Sequence, residues 1–160
     1  MANYEELGQR IRLCDAISVD RLANCLEMTI LYASCMEAIG LHPLIVFTKG
    51  HSFVGGWLIP DTFPDSVNDD VSLITKRTAD GINEIIVVEA TMMCSGNNAT
   101  FDQAAEQAKY NLAKCDEFHL FCDIRRARAA GIRSLPTRIA SNNGWTIKTE
   151  IVVANQDHQI

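Results

Sequence analysis

The chain carries no excess of positive charge. Its 14 Lys and Arg are outnumbered by 20 Asp and Glu, which leaves a formal net charge of −6 over 160 residues. Nucleic-acid backbones and anionic membranes are held by basic patches, so neither is expected as a direct partner. Glycine and proline are sparse, at nine and four, while 48 % of the residues are hydrophobic. That excludes collagen-like, low-complexity and disordered chains and leaves a single domain over residues 1–160 with a proper core. Long apolar runs are missing too. The longest, Leu26 to Ile39, is broken by Glu27, Thr29, Ser34 and Glu37 and is too short to cross a bilayer. Met1 to Arg12 lacks the basic-then-apolar order of a signal peptide, so the chain reads as cytoplasmic. No CxxC or HxxxH spacing occurs and the four histidines are scattered, so no metal site and no cofactor are expected. Six cysteines (14, 25, 35, 94, 115 and 122) are an even number, but the spacings are irregular and a core of this size needs no covalent staples. Free thiols are expected.

What is present reads as an α+β domain. A short helix is expected at Tyr4–Arg12. The strongest element is a helix beginning at Asn24 or Cys25, where Asn24 caps and Glu27 completes a capping box. Gly40 ends it as a C′ residue, with Pro43 soon after. Leu26, Met28, Ile30, Leu31, Tyr32, Cys35, Met36 and Ile39 leave it little polar face, which predicts a central, buried helix. Leu44–Thr48 and Ser52–Ile59 are β-branched and aromatic and are separated by Lys49-Gly50-His51, so they read as adjacent antiparallel strands. Pro60–Asp80 is a polar excursion with one helical turn around Val71–Arg77. Glu84–Ala90 reads as a buried strand, Phe101–Lys114 as an amphipathic helix, Glu117–Ile124 as a strand and Arg125–Ala130 as a short helix stopped by Gly131. Trp145–Val153 alternates like an edge strand. The order suits a mainly antiparallel sheet with helices packed on it.

Three residues can carry chemistry together. Cys25 opens a helix, where backbone N–H groups and the helix dipole favour thiolate over thiol. The ordinary role of cysteine is a small buried hydrophobe, and the other five, lacking that placement, are read so. His51 enters a strand just after Gly50, which leaves room for close approach to a helix N-terminus. His42, His119 and His158 are read as structural. Glu89 closes the apolar strand IIVVE, and a carboxylate there needs a partner. The imidazole of His51 is one; Arg125 or Arg126 is the alternative. In chain order these are nucleophile, base and orienter: the base takes the thiol proton and the carboxylate fixes its tautomer.

Asn24-Cys25-Leu26-Glu27, then Gly50-His51-Ser52-Phe53-Val54-Gly55-Gly56-Trp57-Leu58, then Val88-Glu89-Ala90-Thr91, resemble the transglutaminase-like cysteine hydrolase superfamily. There a helix-borne Cys is followed by a strand-borne His and a strand-borne Asp. The closer resemblance is to the transglutaminase-like domain of large bacterial superfamily 1 helicase-like proteins (the DUF4011 group). It is carried further by residues 7–12, by Gly40-Leu41-His42-Pro43-Leu44-Ile45-Val46, by Asp69-Asp70 and by Asp123-Ile124-Arg125-Arg126-Ala127-Arg128 with Gly131-Ile132-Arg133-Ser134-Leu135-Pro136. It covers about residues 7–137; residues 138–160 lie outside it. The third member here is Glu89, one methylene longer than Asp, and Asn24 stands where the helicase-linked group often has Thr. No GxxxxGK[ST] phosphate loop occurs, so the resemblance implies a module excised from a larger protein.

The resemblance implies a papain/transglutaminase-like fold and cysteine-dependent acyl transfer through Cys25, His51 and Glu89, with a peptide or protein amide as substrate. Hydrolysis, as in a protease or amidase, and transfer to an amine share their first half-reaction and stay open. The alternative is a catalytically silent recognition or regulatory module of a helicase-like nucleic-acid-processing protein, with that parent's other domains as partners. Four further features read more plainly. Arg125, Arg126 and Arg128 read as a solvated or carboxylate-paired face, Asp69-Asp70 as a cap before Val71, and Trp57 as core. For an oxyanion, the Cys25 N–H is the favoured donor and Gln9 a second.

Overall fold

The computed structural model describes residues 8, 11–94, 96, 98–134, 137–141 and 144–148. The expected helix at Tyr4–Arg12 lies largely outside these residues; Gly8, Ile11 and Arg12 are not helical. A helix stands instead at Cys14–Asp20 (α1). Its cap position is Leu13, which has no side-chain acceptor, so the sequence offers no start signal there.

Helix α2 spans Cys25–Ala38. Asn24 Oδ1 accepts from the Glu27 N–H and Glu27 Oε2 from the Asn24 N–H, each at 2.9 Å, which completes the expected capping box. Gly40, at φ +83°, ends it as expected. The N–H groups of Gly40 and Leu41 reach back to the carbonyls of Glu37 and Met36, a Schellman closure that only a left-handed residue permits cheaply. The expectation of a helix buried all round is corrected. Its fully buried residues are Glu27, Thr29 and Ala33, while Cys35 is exposed and Ile39 is 74 % exposed. The helix lies on one face of a sheet, which covers one side only, so its other apolar residues stay half-buried.

That sheet is antiparallel throughout, with strand order β3-β5-β1-β2-β4. The strands are β1 His42–Thr48, β2 His51–Trp57, β3 Val67–Asn68, β4 Ile85–Val88 and β5 Phe118–Asp123. β1 and β2 form a hairpin with Thr48 opposite His51, so the turn is Lys49-Gly50 alone and His51 belongs to the strand. Gly50 sits at φ +70° with nothing near its missing Cβ. Its role is turn geometry rather than the expected close approach. Gly56 is the residue of close approach, since a Cβ there would collide with Met36 of α2. Pro43 pairs with Gly56, but pairing with β5 begins only at Leu44, so the missing N–H costs no ladder bond on that side.

Side-chain alternation gives the sheet two cores. Val54 and Val88 pack beneath α2 with Ala33, Met28, Tyr32 and Met36. Phe53, Trp57, Val46, Val87 and Phe121 face the other way, toward Phe63, Ile74 of α3 (Ser72–Arg77) and Ala108 and Leu112 of α4 (Phe101–Ala113). Ala104 of α4 belongs to the first core, so α4 passes alongside the outer strand β4 and joins both. Asp70 caps the backbone of Ser72, as its position before Val71 predicts. α5, Ile124–Ala129, ends at Gly131. In the tail, Thr137–Ser141 (β6) and Gly144–Lys148 (β7) form a separate two-stranded sheet, so a strand does stand at Trp145–Lys148, paired with β6; its expected continuation to Val153 lies outside the described residues. Among the described residues no helix is long and apolar enough to cross a membrane.

Candidate active site

Two of the three residues singled out meet directly. His51 Nε2 and Glu89 Oε2 are 2.6 Å apart. Both residues face the same side of the sheet as Phe53: His51 stacks near Phe53 with ring centroids 6.4 Å apart, and Glu89 follows Val88 where β4 runs out beside β2. Glu89 is buried, whereas the His51 side chain is about one-third exposed. The alternative partners, Arg125 and Arg126, do not reach Glu89. Arg125 meets His42 Nδ1 at 3.2 Å, and burial together with that guanidinium holds the His42 imidazole below its usual range. Arg128 forms a bidentate pair with Glu37, as the carboxylate-paired reading of this cluster predicts.

Four donors converge on the Glu89 carboxylate. Oε1 accepts from the Thr91 backbone at 3.2 Å and the Thr91 hydroxyl at 2.7 Å. Oε2 accepts from Asn111 Nδ2 at 3.2 Å and shares the short contact with His51. A carboxylate so provided for can be buried as an anion at little cost. Because Nε2 of His51 is committed to Glu89, Nδ1 is the ring atom left to exchange a proton, and it makes no hydrogen bond among the described residues. Asn111 carried no signal in the sequence. It sits in an Ala/Gln-rich amphipathic stretch, and nothing in that pattern distinguishes a surface amide from one aimed at a buried carboxylate.

Cys25 is the first residue of α2 and is half-buried. Its carbonyl accepts from the Thr29 hydroxyl at 2.8 Å, and that hydroxyl lies 3.4 Å from Ser52 Oγ. The start of α2 therefore stands over the start of the His51 strand. Ser52 faces α2, and strand alternation turns His51 to the opposite side of the sheet, with Phe53. No hydrogen bond joins the Cys25 sulfur to the His51 ring among the described residues.

The helix start is firmly fixed. Glu27, 2 % exposed, accepts from Arg12 three times, from its backbone N–H, Nε and Nη2, and once from the Asn24 backbone. The Arg12 guanidinium holds the Glu27 carboxyl at about 2 against an ordinary 4.5. The expected oxyanion donor Gln9 lies outside the described residues. Trp57 is core as expected, and its indole N–H donates to buried Asp123 at 3.1 Å. All six cysteines are free thiols. Cys14, Cys35 and Cys115 are exposed, however, contrary to the buried-hydrophobe reading, because each sits on the open side of its helix or turn. Among the described residues no group of three His, Cys, Asp or Glu is placed to hold a metal ion.

Compared with protein-family models, curated proteins and solved structures, the chain gives no significant match.

Proposed function

We propose that this chain is a cysteine-dependent acyl-transfer domain of the transglutaminase-like superfamily, with a papain-like arrangement of helix and sheet, working on a peptide or protein amide in the cytoplasm. The observation that carries the reading is the 2.6 Å contact between His51 Nε2 and a buried, four-donor Glu89, at the strand end over which the Cys25 helix begins. In this scheme His51 Nδ1 takes the Cys25 thiol proton and the thiolate attacks the carbonyl carbon. The oxyanion is received by the Cys25 backbone N–H at the helix start. As the tetrahedral adduct collapses, the leaving amine takes the proton back from Nδ1, leaving a thioester on Cys25. Water or a second amine then resolves it. Glu89 holds the ring through Nε2 and offsets the imidazolium charge that forms in each half-reaction.

A second reading, a silent recognition module within a helicase-like protein, is favoured by one observation: Cys25 and His51 are not hydrogen-bonded. Alkylation separates the two. Iodoacetamide modification of each cysteine, followed by mass spectrometry from pH 5 to 9, is expected to show Cys25 reacting fastest below pH 7. His51→Ala should slow it there by about tenfold or more, because the base that takes the thiol proton is gone. Cys25→Ala should abolish labelling by an amide-mimicking electrophile and leave the fold intact. If Cys25 reacts no faster than exposed Cys35, the module reading stands.

A further inference from the structure

The two anchors on Oε1 of Glu89 both come from Thr91, two residues further along the same segment. They fix the carboxylate relative to its own backbone and nothing else. A glutamate has one more rotatable bond than an aspartate, and a carboxylate pinned at one oxygen can still pivot about it. Oε2, the oxygen that meets His51, would then sweep away from the ring. One contact from a different element prevents this: Asn111 of α4 donates from Nδ2 to that same Oε2 at 3.2 Å. The amide is itself oriented. Gln107, one turn earlier on α4, donates from Nε2 to Asn111 Oδ1 at 3.1 Å, which turns the Asn111 NH2 group toward Glu89. The hydrogen bonds thus run from Gln107 through Asn111 to the accepting Glu89 carboxylate without a break.

We propose that Asn111, oriented by Gln107, is a positioning residue for His51: it locks Glu89 Oε2 against the imidazole and so sets the tautomer with Nε2 protonated and Nδ1 open. The inference rests on the reading of His51 as the base for Cys25. It also gives a physical reason why a glutamate serves where an aspartate is the more common choice, since the extra rotation is removed from outside the strand.

The test reads the ring itself. In the full chain with 15N-labelled histidine, the nitrogen shifts of His51 report the tautomer, and the Nε2–H proton reports its exchange with water. In the parent protein one tautomer with a slowly exchanging Nε2–H is expected. Asn111→Leu should bring a second tautomer into view and speed that exchange about fivefold, the equivalent of one ordinary hydrogen bond. Gln107→Leu should move both signals the same way by less. Asn111 and Gln107 are both half-buried, and if Asn111→Leu fails to fold, Gln107→Leu decides alone. Unchanged His51 signals in every folded variant would overturn the proposal. Alkylation of Cys25 is read separately. If His51→Ala leaves that rate untouched while Asn111→Leu still disturbs the ring, the positioning role holds and the acyl-transfer reading falls.

Discussion

At the scale of single residues, three carboxylates among the described residues are buried, Glu27, Glu89 and Asp123, and each is held by several donors. Glu27 is the clearest case. Its carboxyl is held at about 2 in the folded chain, below the ordinary 4.5, chiefly by Arg12. A carboxylate depressed on folding contributes its full stabilisation above about pH 4.5 and loses it as pH falls toward 2. Urea unfolding at intervals from pH 6 to 2.5 should therefore show stability falling through that window, and Glu27→Gln should flatten the fall. At pH 7 the same substitution should cost about 3 kcal/mol, because Arg12 is left facing a neutral amide in a buried site. The capping box around Glu27 was legible because it rests on neighbours in sequence. Glu89 was legible because it closes an apolar strand, where an unpaired carboxylate is costly, and His51 because it opens a strand directly after the Gly50 turn. Asn111 was not: its contact to Glu89 spans 22 residues and depends on how a helix is rotated, which composition does not encode.

At the scale of elements, β1, β2, β4, β5 and the longer helices followed from periodicity and turn chemistry, whereas the two-residue β3, the strand β6 and helix α1 did not. Helix α1 lacks a capping side chain, so only tertiary structure selects it. Helix α2 is apolar nearly all round, yet it meets a sheet on one side only. Apolar periodicity shows which residues prefer burial; whether a second layer exists to bury them is a property of the rest of the chain. The hairpin turn offers a direct check on element geometry. Gly50 has φ +70° and open space around it, so only backbone conformation is at stake there. Gly50→Ala should lower stability by about 1 kcal/mol and Gly50→Asn by less, read from urea midpoints. A larger loss in the alanine variant would mean that room beside His51 matters after all.

At the scale of the whole molecule, the sheet separates two cores, and one buried carboxylate joins the long excursion to it. Asp123, at the end of β5, accepts from the Trp57 indole, from the Thr62 hydroxyl and backbone of Phe63 in the excursion, and from the Arg126 backbone that starts α5. Asp123→Ala strands several of these donors at once and should cost about 3–5 kcal/mol, measured by chemical denaturation. Asp123→Asn keeps acceptor oxygen and should cost clearly less. The sequence did not single out this junction, since its donors come from three separate stretches. Helix α4 is the other long-range tie, and it has a bearing on solubility. β4 is four residues of isoleucine and valine with β2 as its one strand partner among the described residues, the kind of sheet margin that recruits foreign strands. Ala104 of α4 holds the end of that margin by accepting the Glu89 N–H at 3.0 Å. Loosening α4 would uncover a sticky edge in the same motion that releases the Glu89 carboxylate, so variants that disturb the His51 pair from this side should also be the ones that aggregate on warming.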